Sequence, residues 1–151
     1  MNDQLEIIRK TRSFLLEVIK DLSVEQLNKV PTGFNNNIVW NLGHMVAAQQ
    51  GICYIRAGLT PWADDAFINA YKPGTKPDRE VSIEQIEKIK EHFFTSLDLL
   101  EKDYEKRLWP VYPTWTTRSG IEIKSIDDAI EFLHYHEGLH SGYIMAMRKI
   151  V

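Results

Sequence analysis

Apolar residues recur along most of this chain with the period of an α-helix, and four long segments show the pattern. In the first segment, from about Asp3 to Asp21, they form one stripe: Leu5, Ile8, Leu15, Ile19 and Leu22. The third segment begins after Ser82 and ends near Leu108. Its apolar positions follow 3-4-4-3-4 spacing: Ile86, Ile89, Phe93, Leu97, Leu100 and Tyr104. Such stripes are typical of helices that bury one face against a core.

The second segment, from about Asn37 to Ala57, is apolar nearly all round, which favours a central position in the fold. Asparagines at positions 35–37 offer an N-cap for it. The fourth segment runs from a cap at Ser125 to about Lys149, and a short extra helix is predicted after Ser23. Four long helices joined by short and longer connections predict an all-α four-helix bundle.

Two connections between these helices carry patterns of their own. Residues 59–81 are rich in proline and glycine, so we predict a loop there, with one helical turn near residues 65–71. A structureless loop of this length often has a functional role. Residues 114–124 predict a short hairpin that turns at Ser119-Gly120. No repeat divides the 151 residues, so a single domain over residues 1–151 is expected.

Composition and charge exclude several classes of function. The chain is 44% hydrophobic and 26% charged, as in ordinary globular domains, and its net charge is −3. Basic and acidic residues are interspersed, so we expect neither a nucleic-acid partner nor a membrane-directed surface. The first residues do not resemble a signal peptide, and Cys53 is the only cysteine. A cytoplasmic location is therefore expected, with Cys53 as a buried packing residue.

Three of the five histidines show an organised pattern. His136 and His140 are four residues apart on the last predicted helix, so both rings lie on one face and could close on one metal ion. No His, Asp or Glu follows His140, so a third ligand must come from upstream, and His44 on the second helix is the best candidate. Buried histidines that only hydrogen-bond their neighbours remain the alternative. Four interior glycines flank these histidines, and close helix packing or space over a metal would explain them: Gly43, Gly51, Gly138 and Gly142.

The remaining polar residues near this pattern have weaker assignments. The string His136-Glu137-Gly138-Leu139-His140 fits the H-E-x-x-H pattern of zinc proteases, although the chain is small for such an enzyme. Glu137 is either a solvated helix residue or a catalytic base or supporting group beside a metal. His134 is about 200° round the helix from His136 and is expected to face elsewhere. His92 is expected at the solvent edge of the third helix.

Two histidine-bearing strings together resemble the DinB-like metalloproteins of the damage-inducible type, which are unrelated to the DNA polymerase of that name. The strings are Asn37-x-x-Trp40-x-Leu42-Gly43-His44 and His136-Glu137-x-x-His140-x-Gly142. The resemblance covers most of the chain and implies four helices and a divalent metal, zinc or nickel, on His44, His136 and His140. The family often has glutamine where this chain has Tyr143. A homodimer is expected on the same ground.

The resemblance also implies a reaction class. The family includes transferases and isomerases that use small thiols related to bacillithiol, mycothiol or glutathione. A metal-dependent enzyme for thiol S-transfer to a small molecule is therefore the leading prediction. A non-catalytic metal- or ligand-binding stress protein, and a hydrolase with Glu137 as its base, remain alternatives. Six aromatic residues of the connections either close over the metal or cap the bundle core: Trp62, Phe67, Tyr71, Trp109, Tyr112 and Trp115.

Overall fold

A computed structural model of the chain describes residues 2–151 and confirms the all-α prediction. Its four long helices are α1 (Asn2–Ile19), α3 (Ile38–Cys53), α5 (Ile83–Glu105) and α6 (Ile126–Met147). Helices α1 and α3 each pack against both α5 and α6, so the four helices form a bundle. None of the helices described over residues 2–151 has the length and apolar character that a membrane span requires.

Helix α3 lies at the centre of the bundle, as its composition predicted. Every residue from Ile38 to Cys53 is buried except Gly51, which is half-buried. The helix therefore contributes to both halves of the apolar core, one around Ile52 and Leu97 and the other around Leu42 and Phe93. Side chains that α3 projects at its middle are shielded from water on most sides, which affects any polar group placed there.

The short elements agree with the sequence pattern, and two helix ends differ from it. Helix α2 (Val24–Asn28) and helix α4 (Asp65–Tyr71) form at the predicted places, and strands β1 (Trp115–Thr116) and β2 (Glu122–Ile123) pair as an antiparallel hairpin. Helix α3 ends at Cys53, and a 3₁₀ turn (Ile55–Ala57) replaces the predicted last turn. Helix α5 ends at Glu105 instead of near Leu108, because the chain enters the left-handed region at Arg107, with φ of 56°.

Serine and asparagine caps explain where the helices begin. The side chains of Ser82 and Ser125 each accept a backbone hydrogen bond and take part in a capping box, with Gln85 and Asp128 as their partners. The Asn37 side chain accepts a hydrogen bond from the backbone nitrogen of Trp40 and thereby caps α3. These caps fix the register of α3 and α6, which carry the histidines of interest.

A buried arginine joins all four long helices. Arg12 of α1 is 0% exposed, and its guanidinium donates hydrogen bonds to the Phe93 carbonyl of α5, to Gln49 of α3 and to Glu137 of α6. Ser96 and the Gln49 side chain complete the network. A buried charge is stable only when it is paired and hydrogen-bonded, so the network restricts how the four helices can pack.

Candidate metal centre

Three histidine side chains converge between α3 and α6. His44, His136 and His140 each offer one nitrogen, and these nitrogens all lie within 4.8 Å of one another. The ring centroids are 4.6 Å apart for His44 and His140 and 4.5 Å apart for His136 and His140. Three imidazole nitrogens at this separation could hold one metal ion, because Zn²⁺ binds such nitrogens at about 2.0–2.1 Å. We call these three residues the histidine cluster.

The ring of His44 is held by α4 and by its own helix. Its Nδ1–H donates a 2.7 Å hydrogen bond to the backbone carbonyl of Tyr71, the last residue of α4. The Trp40 ring stacks on it, with centroids 4.6 Å apart and an angle of 9° between the planes. Since Nδ1 carries the proton, Nε2 is left as the unprotonated nitrogen that can coordinate an ion.

The ring of His140 is held by α3. Its Nδ1–H donates a 2.8 Å hydrogen bond to Oδ1 of Asn41. The Asn41 amide nitrogen donates to Oδ1 of Asn36 and to the carbonyl of Asn37, which fixes the orientation of the amide. Nε2 of His140 is therefore also available to a metal. A hydrogen bond on the far nitrogen is what metal-ligating histidines ordinarily have.

His136 contributes the third ring and has no such partner. Its Nδ1 is buried and lacks a hydrogen-bond partner among the described residues. An unpartnered buried nitrogen costs free energy, so the His136 ring is not satisfied by the protein alone. The donor set and the supported rings thus fit a divalent ion that prefers imidazole ligands.

Burial keeps the histidine cluster neutral at physiological pH. Desolvation, followed by repulsion from His140, His44 and Arg12, lowers the pKa of His136 to about 3. Desolvation and repulsion from His44 lower the pKa of His140 to about 4. Desolvation also lowers the pKa of His44, against the hydrogen bond to Tyr71, which raises it. Neutral imidazoles are the form that binds metals, so these residues need lose no proton before binding.

Glu137, which lies between the two cluster residues of α6, faces away from solvent. It is 2% exposed, so its interpretation as a solvated residue is wrong. Nε of Arg12 donates to its Oε2 over 3.1 Å, and Nη2 of Arg12 donates to its Oε1 over 2.6 Å. This fork engages both carboxylate oxygens. The geometry gives Glu137 a role in anchoring α6, and its role as a catalytic base stays a prediction.

The other two histidines lie outside the cluster. His134 donates from Nε2 to the carbonyl of Gln4 on α1, 2.8 Å away, so it faces elsewhere as expected. His92 of α5 is half-buried, and the Trp62 and Phe67 rings pack edge-on against it. Desolvation, followed by repulsion from Lys88, lowers the pKa of His92.

The aromatic residues of the connections divide between the two predicted roles. Trp109 and Tyr112 donate hydrogen bonds to the carbonyls of Cys53 and Ile52, so they cap the end of the core. Phe67 and Tyr71 pack against each other and against the other half of the core. Trp115 lines a cavity that reaches His136. Tyr143 is 46% exposed, with its ring centroid 6.2 Å from that of His140.

The interior glycines do not mark a close approach of α3 and α6. A Cβ at Gly43 would lie 2.5 Å from the Tyr71 ring, so the close neighbour of Gly43 is α4. A Cβ at Gly51, Gly138 or Gly142 would meet no atom of the described chain within 4 Å. Close helix packing is therefore the wrong explanation for these three positions. The absence of a side chain at Gly43 lets Tyr71 approach and its carbonyl reach His44.

Sequence reasoning missed three groups that support the cluster. Asn41 lies three residues before His44 on the same face of the helix, a spacing from which its position beside the cluster could have been predicted. The Tyr71 carbonyl is a backbone group, so no side-chain pattern could identify it. Arg12 lies between polar residues on α1 and has the sequence context of a surface residue. Only the packing of four helices shows that its partners are buried.

A helical bundle with three convergent imidazoles is compatible with a metal-binding protein. The sequence model of the DinB superfamily matches residues 7–144, which is most of the chain. The protein therefore belongs to the DinB superfamily. A search of curated proteins found no significant match. Family membership and the histidine cluster agree with the resemblance seen in the sequence.

Proposed function

We propose that the protein is a divalent-metal-dependent enzyme that transfers a small-molecule thiol to an organic electrophile. The observation that carries the proposal is the histidine cluster itself, with two of its rings oriented through Nδ1 by Tyr71 and Asn41. Three neutral imidazoles leave the full charge of a zinc or nickel ion uncompensated and leave a coordination position open. A divalent ion held by these residues would lower the pKa of a thiol that reached it, and the thiol would then be available as the thiolate.

The residues of this chain hold and orient the reactants in this proposal. His44, His136 and His140 bind the ion, and Asn41 and Tyr71 keep two of these rings in place. The thiol sulfur forms a bond to the electrophilic carbon, and the bond from that carbon to its leaving group breaks. The thiol proton passes to solvent and the leaving group departs as an anion, so no oxidant or reductant is needed.

The nucleophile must come from outside the chain. Cys53 is 0% exposed, and desolvation raises the pKa of its thiol to about 12. A protonated, buried thiol is inert at pH 7. The Arg12 fork on Glu137 likewise favours thiol transfer over the hydrolase alternative, which needs a carboxylate oxygen free to accept a proton from water.

Metal content tests the first half of the proposal. We would purify the protein without an affinity tag or a nickel column and measure bound metals by mass spectrometry. The expected result is about one divalent ion per chain, lost in His44→Ala and His140→Ala. His134→Ala is the matched control, because His134 lies on α6 outside the cluster. Equal metal content in His44→Ala and His134→Ala would overturn the assignment of the cluster.

Thiol consumption tests the second half. Metal-loaded protein would be supplied with a panel of small thiols and a chromogenic aryl halide, and release of the arylated thiol would be followed by absorbance. Activity should require the metal and disappear in His140→Ala. If no thiol reacts above background while cobalt-substituted protein still responds to small ligands, the binding-protein alternative is correct. If esters or amides are cleaved without thiol and Glu137→Gln abolishes cleavage, the hydrolase alternative is correct.

A further inference from the structure

A cavity of about 420 Å³ adjoins the histidine cluster. It lies between α3, α4, α6 and the β1–β2 hairpin, and His136 belongs both to its wall and to the cluster. Its inner surface is mainly apolar and includes Ile52, Ile68 and Phe132. The volume falls in the range of about 300–1,000 Å³ that is usual for small-molecule sites.

The charged side chains among the residues that line this cavity are all cationic. Arg56, Lys72 and Arg118 line it and are exposed, and no Asp or Glu among the described residues lines it with them. Within residues 2–151, none of the three forms an ion pair. Lys72 donates to the side chain of Asn69. The chain as a whole has net charge −3, so three unpaired cations around one apolar cavity are a local departure from its average.

One of these cations is held in place. The Arg56 guanidinium lies 3.7 Å from the centroid of the Trp115 ring, a cation–π contact. The Trp115 indole donates to the Tyr112 hydroxyl, which donates to the Ile52 carbonyl. The guanidinium is thus stacked on a ring that is itself anchored to α3. A stacked guanidinium keeps its in-plane N–H groups free, and these match the two oxygens of a carboxylate.

The cavity extends to the surface of α3 at Gly51, which has no side chain to fill the space. It is the one residue of that helix that is not fully buried, and it forms part of the cavity wall. A Cβ built there would meet no atom of the described residues within 4 Å, so the space beside Gly51 is the cavity itself. A larger side chain at this position would occupy the space that a ligand needs.

We infer that this cavity binds an organic carboxylate with an apolar body, with the carboxylate at Arg56 and Arg118 and the body directed toward His136. The inference rests on the proposed function in one respect, which is that the reacting end of the ligand lies at the histidine cluster. The inference adds the class of substrate. One reactant of the enzyme is an amphipathic monoanion, and a neutral analogue of that reactant binds more weakly. The cationic lining residues and the apolar walls account for the two parts of that ligand.

The test compares two ligands that differ only in charge. Binding of 4-phenylbutyrate and 4-phenylbutanamide would be measured by titration calorimetry at low salt, with the full chain both metal-loaded and chelator-treated. We expect the carboxylate to bind at least about tenfold more tightly than the amide in both states, since a hydrogen bond to a charged group is stronger than one between neutral groups. Equal affinities of the two ligands, or no binding of either, would overturn the inference.

Different variants test the contribution of the positive charge and that of the cavity space to binding. Arg56→Gln and Arg118→Gln should reduce carboxylate affinity toward that of the amide and leave amide affinity unchanged. Gly51→Leu should abolish binding of both while circular dichroism and thermal unfolding show an intact fold. Arg79→Gln is the matched control, because Arg79 lines other clefts and not this cavity. If Arg79→Gln weakens carboxylate binding as much as Arg56→Gln does, the proposed position of the carboxylate is wrong.

The two proposals can fail independently. Should the protein bind no metal or transfer no thiol while the charge preference and the Gly51→Leu effect persist, the proposed function fails and the anion site stands. Should metal binding and thiol transfer both hold while carboxylate and amide bind equally, the anion site alone fails.

Discussion

Oδ1 of Asn41 accepts a 2.8 Å hydrogen bond from Nδ1 of His140 and so joins α3 to α6 at the histidine cluster. We expect Asn41→Leu to weaken divalent-ion affinity by about 10–100-fold, because it frees the His140 ring and leaves Nδ1 without an acceptor. Asn41→Asp retains an oxygen acceptor and should preserve most of the affinity. Competition with a chromophoric chelator for zinc measures the difference.

Asn28→Leu provides the control for this substitution. Asn28 also bridges two parts of the chain, through hydrogen bonds with the backbone of Val81, but it does not contact the histidine cluster. Asn41 is buried and Asn28 is half-buried, and both variants lose a hydrogen-bonded amide and should lose some stability. Equal loss of zinc affinity in the two would show that orientation of His140 is not the cause.

A second prediction concerns two glycines of similar sequence context and different surroundings. A Cβ at Gly43 would lie 2.5 Å from the Tyr71 ring, whereas at Gly138 it would meet no atom of the described chain within 4 Å. Gly43→Ala should lower the free energy of unfolding by about 1–3 kcal/mol and weaken metal binding, because Tyr71 must move. Gly138→Ala should raise it by about 0.5–1 kcal/mol. Urea unfolding of the metal-free proteins measures both changes. If the two substitutions changed the free energy of unfolding in the same direction, the structure would be contradicted.

The buried pair of Arg12 and Glu137 gives a third prediction. Arg12→Met alone should destabilise the protein by about 3–5 kcal/mol, because it leaves the Glu137 carboxylate buried without a partner. The double variant Arg12→Met/Glu137→Leu should cost clearly less than the sum of the two single changes. A double-mutant cycle in urea measures this difference. Additive costs would mean that the two side chains do not interact.

The dependence of stability on pH gives a fourth prediction. The pKa values of His136 and His140 fall to about 3 and about 4 on folding, from about 6.5 in the unfolded chain. Below pH 6.5 the unfolded state therefore binds protons that the folded state does not, and the free energy of unfolding decreases as pH falls toward 4. We expect a decrease of more than about 2 kcal/mol between pH 7 and pH 4 in metal-free protein. Urea unfolding at several pH values measures it.

The same shifts predict how metal binding responds to acid. Histidines with the ordinary pKa would begin to lose metal near pH 6.5, whereas neutral buried histidines keep their ligand nitrogens free until the pH nears 4. Zinc affinity of the folded protein should thus fall less between pH 7 and pH 5 than it would for three histidines with the ordinary pKa. For the preceding prediction, the control is the variant with His136 and His140 both replaced by alanine. The free energy of unfolding of this variant should depend less on pH. An unchanged profile would assign the acid sensitivity to other groups.

Local sequence signals predicted the helices well because their causes are local. The serine at position 82 and the glutamine three residues later form a capping box where the third segment was predicted to begin. The apolar stripe that follows is buried as its spacing indicated. Helix ends were less predictable: α3 stops at Cys53, a 3₁₀ turn continues the chain, and Cys53 and Tyr54 between them are buried in the core.

The candidate site was predictable where side-chain type and helical spacing suffice. The four-residue spacing of His136 and His140 and the position of His44 in a central helix identified the cluster. Its supports depend on tertiary contacts between distant segments: 27 residues separate His44 from the Tyr71 carbonyl, and 125 separate Arg12 from Glu137. No periodicity connects residues so far apart, so only the folded bundle identifies them.

The division of the cluster between α3 and α6 has a consequence for the growing chain on the ribosome. Asn41 precedes its partner His140 by 99 residues, which is roughly 5–20 s of synthesis at about 5–20 residues per second. During that interval α3, with its continuous apolar surface, has no α6 to cover it, and His44 has no second ligand to share an ion with. An ion held by His44, His136 and His140 could therefore join α3 to α6 only after α6 has been synthesised.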